Sequence, residues 1–177
     1  MKKVILIYGL IAGTIVAAMM FITMPMYESG KLNFDNGELV GYTTMVIALS
    51  MVFVGIKSYR DNYANGSISF GKGFKVGILI TLIACAMYGL AWEVTYSNIG
   101  DGFMKKMNEK YYADLKAEGA TEKELEEAKK QWESFGEMYK NPIFRFAFTV
   151  FVEIFPVGLV ITLISAGILR KKEILPA

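Results

Sequence analysis

Two glutamates, Glu93 and Glu153, stand inside long apolar runs, and by position they are the residues most able to do chemistry. Before Glu93 lie the 17 uncharged residues Val76 to Trp92, and after Glu153 the 16 residues Ile154 to Leu169. At about 1.5 Å per residue, either run falls slightly short of a hydrocarbon core of about 30 Å, so a full crossing draws each acid to the membrane boundary or just inside it. An ionised side chain at mid-bilayer costs about 2.5–3.5 kcal/mol, and less toward the interface. Tyr88, Trp92 and Tyr96 recur at intervals of four around Glu93 and offer hydroxyl and indole donors. Counted from the ends of their spans, the two acids sit at comparable depth, a position that lets them approach each other across adjacent helices. They could then share a proton, bind a cation or pair with Arg145, which enters from the same side. Against this stands a plain interfacial role, since Trp and Tyr collect at membrane surfaces and a glutamate among them needs no further function.

Little else in the sequence is reactive. There is no histidine, which removes the commonest metal ligand and the commonest neutral-pH base. The lone Cys85 falls inside an apolar run, so no intramolecular disulfide can form. Ser67 to Lys75 carries glycines and lysines but not the spacing of a phosphate loop, and no serine, cysteine or carboxylate set matches a hydrolase. A net charge of +2 leaves no footprint for nucleic acid. The expectation is a chain without catalytic residues, cofactor or metal.

The elements that must position these residues are membrane helices. The 177 residues are 54% hydrophobic. Soluble domains run at roughly 45–50% and lack long uncharged stretches. Val4 to Tyr27 is 24 residues without a formal charge, and Leu39 to Ile56 is 18. Only a helix satisfies its own backbone in lipid without partners, so these runs predict helical spans. Four follow, at about 4–26, 39–56, 76–98 and 146–169, in a single membrane domain covering 1–177. The start Met1-Lys2-Lys3 also resembles a signal peptide, but the apolar stretch is too long and no small-x-small site precedes Pro25, so the first helix is expected to be retained.

Polar connectors are predicted at 28–38, with Gly30 and Asp35-Asn36-Gly37 as turn signals, and at 57–75. In the second, Phe70, Lys72, Phe74 and Lys75 read as an interfacial lead-in to the third helix. The third connector, 101–141, reads as a helical hairpin outside the membrane. Gly119 stops one helix, and Thr121 with Glu124 forms a capping box for the next. Phe103, Met107, Tyr111 and Leu115 mark one apolar stripe, and Leu125, Ala128, Trp132, Phe135 and Tyr139 the other. The stripes predict packing between the two helices, with Tyr111, Trp132 and Phe135 as the candidate surface for a partner. A kink is expected at Gly100 or Pro142, and Pro156 deprives the Val152 carbonyl of its helical donor. The fold class is thus an all-α membrane protein, a four-transmembrane-helix bundle with an extramembrane helical hairpin between the third and fourth spans.

Small residues recur at intervals of four as Gly9, Gly13 and Ala17, as Gly77, Thr81, Cys85 and Gly89 leading to Glu93, and as Gly158, Thr162 and Ala166. Such rows allow close helix approach, within the bundle or, for the Gly9–Gly13 pair, in a homodimer. Nine basic residues against two acids crowd the N-terminus, the second connector and the tail, near helix ends, whereas the ten on the other side, counting Arg145, are spread more thinly. This predicts both termini on the cytoplasmic side of an inner membrane, with the hairpin outside.

Ile56-Lys57-Ser58-Tyr59-Arg60, leading to Asn65-Gly66-Ser67-Ile68-Ser69-Phe70 ahead of a glycine-bearing third helix and a long insert, resembles the bacterial domain of unknown function 4199 family. The resemblance spans about residues 3–170 and implies four spans and an inner-membrane location. It brings no activity and no functional residues. The functional expectation is a small scaffold or accessory protein engaging lipid and a membrane-protein partner or a second copy of itself. The alternative is an oligomeric, ion-coupled transporter using Glu93 and Glu153.

Overall fold

A computed structural model describes residues 1–171, and these are almost wholly helical. The elements are α1 (Lys2–Glu28), α2 (Phe34–Tyr63), α3 (Phe70–Ala117), α4 (Glu122–Tyr139), α5 (Pro142–Phe148), a π-helical turn (Thr149–Ile154) and α6 (Phe155–Leu169). Four segments are long and apolar enough to cross a membrane: Lys2–Tyr27, Asn36–Tyr63, Phe70–Gly100 and Pro142–Leu169. Leu6, Leu10, Ile47, Leu90, Val160 and Ile168 point outward, the apolar exterior that suits hydrocarbon. Tail residues Lys172 and Glu173, counted in the charge argument, lie outside the described residues.

Two connectors are shorter than the sequence suggested. Asp35, Asn36 and Gly37 belong to the first turn of α2, because Asn33 caps that helix by accepting from the Asn36 N–H at 2.8 Å. On the other face, α2 continues to Tyr63 and α3 begins at Phe70, so the basic residues of the second connector sit on helix ends. The turn between them explains the Asn65 to Phe70 motif. Asn65 and Gly66 both adopt positive φ, at 48° and 76°, and Ser69 caps α3 by accepting from the Lys72 N–H at 3.3 Å. Ile68 is buried and exchanges two backbone hydrogen bonds with Lys171, at 3.0 and 2.9 Å, which fastens the turn to the end of α6. A Cβ on Gly66 would meet nothing within 4 Å, so only backbone strain opposes one. Gly66→Ala is therefore expected to destabilise by about 1–2 kcal/mol, measured by thermal unfolding in detergent.

The bundle is organised around α3, which lies against α1 on one side and α6 on the other, with α2 touching all three. The small-residue rows form these contacts. Cβ atoms added to Gly9 and Gly13 would come within 2.8 Å of the Ile83 and Met87 side chains, so the Gly9–Gly13 face packs on α3 within the chain. Gly77 lies against Thr162 and Ile56, Gly89 against Phe146 and Val150, and Gly158 against Thr81. The third-span row and the fourth-span row are thus two sides of one antiparallel seam. Thr81 and Thr162 share a buried hydrogen bond across it at 3.0 Å, a tie of roughly 0.6–2 kcal/mol in a membrane bundle.

Beyond the bundle, α3 runs on as one helix into the hairpin. The Trp92 and Phe103 rings approach to 5.4 Å. A straight helix would hold their Cα atoms about 16 Å apart, more than two rings can span, so α3 bends toward this face in the stretch that holds Gly100. At the other predicted site the helix does break, and Asn141 caps α5 ahead of Pro142. The hairpin turn forms as its sequence implies, with Gly119 at φ 87° and a complete Thr121–Glu124 capping box. Hydrogen bonds from the Thr121 backbone and hydroxyl hold the Glu124 carboxyl below its ordinary range.

Candidate functional site

The third-span row ends at Glu93, and the seam delivers it to Arg145 of α5. The guanidinium binds the carboxylate in a fork, Nε donating to Oε1 at 2.9 Å and Nη2 donating to Oε2. Arg145 Nη1 also donates to the Tyr139 carbonyl at 3.0 Å, and the cation lies 3.9 Å above the centre of the Tyr96 ring. Arg145 is 8% exposed, and the Glu93 side chain 22%. The pair is partly desolvated, which makes it geometrically demanding. It joins three things at the base of the hairpin: the third span, the fourth span and the last turn of α4.

Around this pair stands an aromatic cluster. Trp92 Nε1 donates to the Tyr139 hydroxyl at 2.8 Å, and the Phe135 ring lies 5.2 Å from the rings of both Tyr139 and Phe148. Burial pushes the Tyr139 phenol up to about 12. Tyr111 stacks on Trp132 at 5.7 Å between α3 and α4. The candidate partner surface of Tyr111, Trp132 and Phe135 is therefore mostly turned inward. Trp132 and Phe135 are half-buried, and only Tyr111, 40% exposed, keeps an open side. The reason is that both stripes face each other across a short turn, so each supplies the other's apolar cover.

Glu153 goes elsewhere. It lies in the π-helical turn, where the Phe155 N–H reaches back to the Val150 carbonyl, just before Pro156. The extra residue of a π turn rotates the chain, and such turns often sit at functional positions. Here Glu153 accepts a hydrogen bond from the Tyr88 hydroxyl at 3.2 Å. The expectation of two acids at one depth is corrected. Glu93 is five residues past Tyr88 on α3, and Arg145 eight residues from Glu153, so the acids differ in depth by roughly 8–12 Å. Glu93 takes Arg145, and among the described residues Glu153 has no cationic partner.

Glu153 and Tyr88 instead border a cavity of about 480 Å³. Its walls come from α1, α2 and the part of α3 between Tyr88 and Asp114. Five methionines line it, Met19, Met20, Met24, Met45 and Met107, together with Tyr27, Tyr42 and Tyr111. Glu38, Lys110 and Asp114 stand toward the hairpin end, where Lys110 pairs with Asp114 at 2.8 Å. Sequence reasoning missed this cavity, because its lining is scattered over four segments with no common spacing. The one available signal was the methionine content, 11 in 177 residues, since Met is the flexible filler of adaptable apolar sites.

The decisive comparison is with protein families. The family model described as "Protein of unknown function (DUF4199)" matches residues 7–171. The chain belongs to the DUF4199 family. The match covers all four spans, the hairpin and the Asn65 to Phe70 turn, so this DUF4199 member carries the family pattern on a multi-pass helical membrane fold. No curated protein and no solved structure matches the chain.

Proposed function

We propose that this protein works by binding rather than catalysis, as an accessory protein of the cytoplasmic membrane that holds a small amphiphilic ligand between α1, α2 and α3. The carrying observation is the cavity, whose walls are mostly apolar and which Glu153 borders away from the hairpin end where Glu38, Lys110 and Asp114 stand. Such a concave, mostly apolar space with few placed polar groups is the usual form of a small-molecule site. In this reading both termini are cytoplasmic, lipid surrounds the spans, and the hairpin is a rigid lid support held by Glu93 and Arg145. The transporter alternative keeps one supporting feature, the π turn at Glu153, but loses the paired acids on which it was based.

Gly41 lines the cavity, and a Cβ there would meet nothing within 4 Å. Gly41→Trp is therefore expected to fill the space without disturbing the bundle. Native mass spectrometry of protein extracted in discs of its own membrane should show a bound small molecule on the wild type that Gly41→Trp lacks. A bound species equally present on both would sink the reading.

A further inference from the structure

Resting on this binding reading, we infer that the cavity takes an organic ammonium ion with an apolar body, its cationic head seated against Glu153. The argument is one of charge complementarity. Among the described residues Glu153 has no lysine or arginine in ion-pair range, and its only hydrogen-bond donor is the neutral Tyr88 hydroxyl. A carboxylate at membrane depth calls for a counter-charge, and Glu93 shows how this chain supplies one where it can. The cavity's lone cation, Lys110, is held by Asp114, four residues along α3 at the hairpin end. The remaining charged lining residues, Glu38 and Glu153, are acidic. Tyr88, Tyr42 and Tyr27 add ring faces and hydroxyl oxygens, both of which favour ammonium groups. The methionines then receive the apolar body, which an anionic or strongly polar ligand would not match.

The test uses the full chain in nanodiscs, with 6-phenylhexylamine as probe and 6-phenylhexan-1-ol as its neutral counterpart, each corrected for empty discs. The wild type should bind the amine saturably and at least tenfold more tightly than the alcohol. Glu153→Gln keeps the shape and the Tyr88 contact, and should erase that preference. Tyr88→Phe should weaken amine binding several-fold while leaving the amine preferred. Equal binding of both probes by the wild type, abolished by Gly41→Trp, would overturn the cationic assignment while leaving the cavity reading standing. A preference unchanged in Glu153→Gln would also overturn the assignment. Amine binding that survives Gly41→Trp, or none by the wild type, would overturn it with the cavity itself in question.

Discussion

Arg145→Met is expected to lower the stability of the bundle by about 2–3 kcal/mol, less than for a fully buried pair because the Glu93 side chain left without its partner keeps 22% exposure. Glu93 would then lie among Trp92, Tyr96 and the fourth span with no cation, and the Tyr139 carbonyl would lose its donor at the end of α4. The two losses are separable. Glu93→Gln combined with Arg145→Met removes both charges together and should recover much of the stability, because no uncompensated ion remains. Arg145→Lys should recover little, since Arg145 reaches the two carboxylate oxygens and the Tyr139 carbonyl through three separate nitrogens of a planar fork, and one ammonium nitrogen cannot stand within reach of all three. Thermal unfolding in detergent reads the global term, and limited proteolysis near Lys140 and Asn141 reads the release of the hairpin. If Arg145→Met unfolds within about 1 kcal/mol of the wild type, the pair is solvated and does not join the third span, the fourth span and α4.

Gly13→Leu is the second large effect, expected to destabilise by about 1–3 kcal/mol through overpacking against Met87. A Cβ at position 13 already comes within 2.8 Å of the Met87 Cβ, so a leucine must push α1 away from α3. The size of the loss matters less than what accompanies it. With the Gly9–Gly13 face packed inside the chain, the substitution should lower the melting temperature and leave cross-linking between copies in membranes unchanged. Loss of cross-linking with an unchanged melting temperature would instead place this face between two chains, against the arrangement described here.

The same two sites show how far the sequence could be followed. Four spans, a hairpin turned at Gly119 and capped at Thr121, and the rows of small residues were all legible, because each depends on local periodicity or on a few neighbouring residues. The row ending in Glu93 even pointed at its partner, since a residue in line with a close-packed seam must meet whatever lies at that level on the next helix. Pairing with Arg145 is one of three arrangements the sequence allows for the acids, and the fold realises it for Glu93 alone.

What the sequence could not give was the separation of Glu93 from Glu153. Both stood near the same end of apolar runs of 17 and 16 residues, and run length alone implied comparable depth. The π turn at Thr149–Ile154 and the seam register that matches Gly158 with Thr81 set their true levels. Those are properties of two helices packed together, not of either one. The cavity belongs to the same class. Its lining comes from α1, α2, α3 and the π turn, and no short-range pattern records that meeting. Periodicity in one chain segment determines which face of a helix is buried, whereas tertiary packing alone decides what that face meets and where a gap is left.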